Sequence, residues 1–161
     1  MILQFDKQIN GNLTHFPEKI TKSLIENEIY PADDVLNFIC SKYSIYDTNA
    51  YLFNSAKNFT IRRDQEDFWN ESQIIEFSID GKNLILPSVP VISVQEIFMT
   101  YLQGRFEITI DDKYIYGWNN LRAIAINDGF NSLIAFSKYY KNKMENGVFS
   151  GKIIHWTHLK F

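Results

Sequence analysis

Three histidines and one cysteine carry most of the chemistry this chain could perform. Two of the histidines lie near the end, in GKIIHWTHLKF, as His155 and His158. His155 and Thr157 reproduce the His-x-Thr element of two-histidine phosphoesterases, where two such elements face each other and each imidazole handles a proton of the phosphoryl group. The remaining histidine is His15, in THFP, and Pro17 stands where the second element needs Ser or Thr. One element without its partner does not make a site. Zinc requires three or four converging ligands, whereas His155 and His158 are three apart on a strand and its exit. Both are expected as partly exposed surface residues. In strand alternation Ile154 and Trp156 share one face, so Trp156 is expected to be half-buried with His155 on the opposite face.

No Gly-x-Ser-x-Gly elbow is present, and the seven glycines form no phosphate-binding loop. The adjacent carboxylates Asp33-Asp34 and Asp111-Asp112 point apart in a helix start or a turn, so neither makes an acid/base pair. Cys40 lies in an apolar helical pattern and reads as a buried, inert thiol. No catalytic residue, metal or cofactor is expected, and the chain is not expected to be an enzyme.

What remains is chemistry of recognition. DQEDFWNES places Asp64, Glu66, Asp67 and Glu71 around Phe68 and Trp69. One account is a solvated loop with two rings tucked into the core. The other is a binding surface in which carboxylates speed encounter with a basic partner and an aromatic anchors it. Asp111 and Asp112, next to Tyr114 and Tyr116, form a second acidic-aromatic candidate. Net charge is −3 at 161 residues, and the basic groups Arg62-Arg63 and Lys138 to Lys143 are short, so a duplex-binding surface is not expected.

The elements that must position these residues read as one α+β domain over 1–161. FPEKITKSLIENE has Pro17 in a first turn and a stripe of Ile20, Leu24 and Ile25. IYPADDVLNFICSKY starts a second helix at Pro31, with Asp33 and Asp34 complementing its dipole and Val35, Leu36, Phe38 and Ile39 inward. NFTIRR, QIIEFSID and NLILP read as strands, the last two joined at Asp80-Gly81. SVPVISVQEIFMTYLQG gives one further helix between strands, with Ser93 as N-cap and a stripe of Val94, Ile97, Phe98 and Tyr101 or Leu102 ending at Gly104. RFEITI, YIYGW, LRAIAI, NSLIAFS and KIIHW follow as strands, with Asn127-Asp128-Gly129 as a joint. The expected architecture is an N-terminal helix pair on a mostly antiparallel sheet.

MILQFDKQINGN lacks a basic region followed by an apolar one, so no signal peptide is expected, and no apolar run reaches ~18 residues, so no membrane span is expected. These features lead to an expectation of a soluble, cytoplasmic protein.

Two segments resemble the SUKH superfamily. In ITKSLIENEIYPADDVLNFICSKY, Pro31, Val35, Leu36 and Phe38 match the acidic corner, proline and aromatic stripe of its opening helices. In LRAIAINDGFNSLIAF and GKIIHW, the residues Asp128, Gly129, Asn131, Gly151, Lys152, Ile153 and Trp156 match its closing strands. The match covers roughly 17–43 and 121–157, and the Gly-x-Ile-x-x-Trp strand is also similar to that of a type-six-secretion immunity family. The resemblance implies a bacterial immunity protein whose partner is a cognate protein toxin, often a nuclease. Its contact surface is expected at Asp64, Glu66, Asp67, Trp69 and Glu71, with Asp111 and Asp112 behind them. The competing readings are a small phosphoesterase of phage or mobile-element origin and an inhibitor that sequesters a host factor.

Overall fold

The computed structural model describes residues 1–9, 11–42, 47–64, 67–81 and 86–161. Its fold is α+β. The chain opens with β1 (Ile2–Phe5), β2 (Gln8–Ile9) and β3 (Asn12–Leu13). Then come α1 (Phe16–Glu26), α2 (Ala32–Lys42) and α3 (Thr48–Phe53), followed by β4 (Phe59–Arg62), β5 (Ile74–Ile79), β6 (Val89–Pro90), β7 (Ser93–Leu102), β8 (Arg105–Ile110) and β9 (Lys113–Tyr114). Two helices, α4 (Trp118–Asn127) and α5 (Leu133–Lys143), precede the closing strand β10 (Val148–His155).

The helix pair forms as its sequence dictates. Pro17 sits in the first turn of α1, and Phe16, Ile20 and Leu24 are buried along one side. Glu28 then takes φ +55°, and the Ile29 amide returns to the Leu24 carbonyl at 2.9 Å, which stops the helix and turns the chain into α2. Only Val35 and Ile39 of α2 are fully buried. Cys40 is exposed, so it is not the buried thiol expected from the pattern. It lies beside Ile39 on the rim of the stripe and turns toward solvent.

The main sheet is antiparallel throughout, in the order β4-β10-β7-β8-β9. A smaller sheet, β1-β5-β6, pairs β1 with β5 in parallel. Its residues Leu3, Phe5, Ile75 and Phe77 form one core with α1, α2, Ile154 and Trp156. The second core fills the space between the other face of the main sheet and α4 and α5. The helix pair therefore packs with the smaller sheet and the end of β10, not broadly on the main sheet.

Three expected elements differ. Residues 93–102 are a strand, not a helix capped by Ser93. Ser93, Gln95, Ile97 and Met99 are buried, and Glu96 and Phe98 between them face out, a period of two. LRAIAI and NSLIAFS are the helices α4 and α5, not strands. Ser132 caps α5 by accepting the Ala135 amide at 3.1 Å, and Leu133, Phe136 and Tyr140 bury one side at helical spacing. Asn127-Asp128-Gly129 is the end of α4, not a hairpin. Gly129 takes φ +90°, its amide bonds the Ile126 carbonyl, and the Phe130 amide bonds that of Ala125. Of YIYGW only Tyr114 belongs to a strand, as the end of β9, before the chain leaves for α4. Asp80 and Gly81 both adopt positive φ as a tight turn requires; the NLI part of the expected partner strand lies outside the described residues, and Leu86 after it is buried in the first core.

Candidate functional site

The acidic candidates come from segments far apart in the chain, and strand register brings most of them together. β7 lies between β10 and β8, pairing Phe98 with Ser150 on one side and Thr109 on the other. The face carrying Glu96, Phe98, Thr109, Ser150 and Lys152 is turned away from α4 and α5. Beyond the region covered by α1 and the smaller sheet, this face is open. A groove of about 280 Å³ runs over it, rimmed by Asp64 and Asp67 from the loop after β4 and by Asp111 and Asp112 from the β8–β9 turn. Both turn aspartates sit at positive φ, +46° and +62°, the conformation of a tight hairpin.

The rim residues differ in role. The Asp64 side chain is 2% exposed. Its carboxylate accepts from the Phe68 and Trp69 amides at 3.0 and 3.2 Å, so it shapes the loop and offers little to a partner. Asp67 is open to solvent and accepts from Lys152 Nζ at 2.5 Å. That hydrogen bond, with the Asp67 and Asp64 charges, outweighs desolvation and raises the Lys152 pKa. Asp111 accepts from the Glu96 amide at 2.9 Å and from Gln95 Nε2 at 2.8 Å, which fixes it against β7. Glu96, Asp67, Asp111 and Asp112 are exposed, and Lys152 is the one cation lining the groove among the described residues. The surface is thus acidic, with a half-exposed aromatic, Phe98, on its floor.

Trp69 is not the surface anchor expected of it. It is 8% exposed and belongs to the first core, while Phe68, edge-on to it at 5.5 Å, stays exposed. The Asp64 bonds turn the indole inward. Glu71 is exposed and lies outside the groove lining, and Glu66 lies outside the described residues. Glu96 and Phe98 were hidden from sequence reasoning by the helical reading of 93–104. No apolar-polar alternation marks the strand, because Ser93 and Gln95 face inward and Phe98 faces out.

His155 is fully buried, contrary to its expected surface position, and Trp156 is fully rather than half-buried. The end of β10 is covered on both faces, so alternation there separates two cores instead of core from solvent. The imidazole packs 5.2 Å from the Phe59 ring, and neither ring nitrogen has a hydrogen-bond partner among the described residues. Burial, aided by the Lys160 charge, lowers its pKa to about 4. His158 is exposed, and Thr157 is buried with its hydroxyl accepting the Leu159 amide. No group of three or more His, Cys, Asp or Glu side chains among the described residues could hold a metal ion.

A second charged cluster lies inside the protein. Lys57 Nζ meets Asp128 Oδ1 at 2.6 Å and also donates to the Asp128 carbonyl. Tyr140 donates to Asp128 Oδ2 at 2.9 Å. Burial outweighs the carboxylate and brings Lys57 down to about 8; burial first, then the Asp128 charge, pushes Tyr140 well up. Lys19 approaches the same region from α1 and donates to the Gly129 carbonyl at 2.7 Å and Asn131 Oδ1 at 2.8 Å. In the sequence, Phe16, Lys19, Ile20, Ser23 and Leu24 follow helical spacing, which marks Lys19 as a cation on a buried stripe.

No helix among the described residues is long and apolar enough to cross a membrane. Comparison of the chain with protein-family models, curated proteins and solved structures finds no match.

Proposed function

We propose that this chain is an inhibitory binding protein of the immunity type, which seats the open face of its main sheet against a co-encoded bacterial toxin and blocks it. The observation that carries the reading is the convergence of Asp67, Glu96, Asp111 and Asp112 around the exposed Phe98. A nuclease presents a basic cleft to its substrate. Carboxylates on a rigid sheet face complement such a cleft, accelerate encounter and set orientation, and an aromatic at their centre supplies the desolvated anchor. Rigid β-structure beneath the groove keeps the ordering cost of binding low.

The reading puts the protein in the cytoplasm, where a nuclease finds nucleic acid, and makes it a non-enzymatic, SUKH-like inhibitor. The phosphoesterase alternative asks His155 to reach a phosphodiester, and its ring is packed against Phe59 inside a core.

The test is a tagged pull-down from the native host, washed at about 0.5 M salt to strip weak electrostatic contacts. A single stoichiometric partner encoded by a neighbouring gene is expected. Replacing Asp67, Glu96, Asp111 and Asp112 by their amides should then slow association and flatten its salt dependence. A partner bound equally well by the amide variant would move the site elsewhere. Absence of any partner, with phosphodiester turnover abolished by His155→Ala, would replace the reading with the enzymatic one.

A further inference from the structure

A cavity of about 250 Å³ opens between the β2–β3 hairpin, α1 and the start of α5, on residues the acidic groove does not use. Ile9, Leu13, Phe16, Phe130 and Ala135 make most of its wall apolar. Set into that wall is Lys19, 3% exposed. An ammonium has three N–H donors. Two of them go to the neutral oxygens of Gly129 and Asn131. Among the described residues no carboxylate oxygen lies within 4.0 Å of Lys19 Nζ. Its neighbour Lys57 has Asp128 as counter-ion; Lys19 has none in contact among the described residues.

A buried cation without a counter-ion is a costly arrangement. Burial, then the Lys57 charge, lowers the Lys19 pKa to about 8, against a smaller opposing effect of Glu18. The chain has 19 acidic residues, yet none of the described residues lining this cavity is acidic. Lys138, exposed on α5, adds a second cation to the lining. An adjoining cavity of about 240 Å³ shares Lys19, Gly129 and Asn131 and contributes Arg122. An apolar cavity with a few convergent polar groups is the ordinary form of a small-molecule site.

We propose that this cavity binds a small amphipathic carboxylate, with its head group on Lys19 and Lys138 and its hydrocarbon against Phe16, Phe130 and Leu13. The size sets the class. Sites for drug-sized ligands start at about 300 Å³, so this one takes a medium-chain or single-ring acid. A carboxylate supplies the missing charge and accepts the third N–H of Lys19, a charge-assisted bond stronger than one to a neutral oxygen.

The experiment is an NMR titration of the isotope-labelled full chain with octanoate, octanol and inorganic phosphate. Octanoate should give saturable shifts at the Gly129, Asn131 and Ala135 amides. Octanol should bind at least about tenfold more weakly, and phosphate should leave those amides unmoved. Lys19→Met should abolish octanoate binding. Since that variant also removes two hydrogen bonds, Ala135→Trp serves as the second: it fills the mouth from an exposed helical position and should abolish binding with the melting temperature unchanged. Octanol binding as well as octanoate, no saturable shift with octanoate, or octanoate binding that survives Ala135→Trp would each overturn the proposal.

Discussion

Lys57 Nζ lies 2.6 Å from Asp128 Oδ1, and the two side chains are 1% and 3% exposed. This pair ties the segment before β4 to the end of α4, 71 residues away in sequence. Asp128 also accepts from the Tyr140 hydroxyl and from the Ile61 amide, so its carboxylate joins α4, α5 and β4 at one point. A Cβ on the adjacent Gly129 would lie 2.8 Å from the Phe16 ring and 2.9 Å from the Lys57 chain, so the junction has no spare room.

Removing one partner of this pair should be far worse than removing both. Asp128→Ala strands a buried ammonium and a buried phenol and should cost about 3–5 kcal/mol in urea unfolding. The double variant Lys57→Met, Asp128→Leu should recover part of that loss, because replacing a buried ion pair with apolar groups of similar volume is often close to neutral. A double variant less stable than Asp128→Ala alone would show that the pair itself, not the avoidance of an orphaned charge, holds the junction.

His155 should make folding sensitive to mild acid. Its folded pKa, about 4, is below the ordinary 6.5 because burial disfavours the cation. The unfolded chain therefore binds the proton that the folded chain refuses, and stability rises with pH between those two values. The full difference is on the order of 3 kcal/mol, lost as pH falls from 6.5 toward 4. His155→Phe, in the same apolar setting beside Phe59, should remove this part of the pH dependence. Equal slopes for the two proteins between pH 4.5 and 6.5 would mean that the imidazole reaches water.

Gly151 should tolerate no side chain. It pairs with Ile97 in the middle of the sheet, and a Cβ there would lie 2.3 Å from the Arg62 carbonyl oxygen on β4. Gly151→Ala forces two central strands apart and should cost at least the 1–3 kcal/mol typical of overpacking. Gly104→Ala is the control. Gly104 has φ +81° with nothing within 4 Å of the added carbon, so it should cost only about 1 kcal/mol of backbone strain. Thermal unfolding of the two variants checks the order.

Trp69 and Phe98 should separate stability from binding. Trp69→Ala empties a core position and should cost about 3–5 kcal/mol whatever the protein binds. Phe98 is 44% exposed on the floor of the acidic groove. Phe98→Ala should cost less than about 1 kcal/mol of folding free energy, while weakening the complex with the proposed partner by about 2 kcal/mol, roughly 30-fold. The reverse pattern, with Trp69→Ala folding normally and failing to bind, would restore the indole as the anchor.

The α+β class, the helix pair α1 and α2 with its corner at Glu28, the strands β4, β5, β8 and β10, and the acidic character of the loop at 64–71 and the turn at 111–112 are legible in the residues alone. Those features rest on local chemistry: prolines in first turns, β-branched runs, tight-turn residues and charges that must stay near water. That Ser93–Leu102 is a strand and that 121–126 and 133–137 are helical follows from tertiary context. Apolar runs of about six to ten residues fit a period of 2 or 3.6 nearly equally well, and the neighbours available for pairing settle the choice. The burial of His155 and Trp156 is likewise hidden, because the end of β10 and the residue after it are covered on both faces and carry no alternation between core and solvent. The meeting of Asp67 with Asp111 and Asp112 across Phe98 depends on the register of β10 on β7 and of β7 on β8. Register is a long-range property, set where Ile153 and Ile97 enter a common core, and neither acidic segment contains any trace of it.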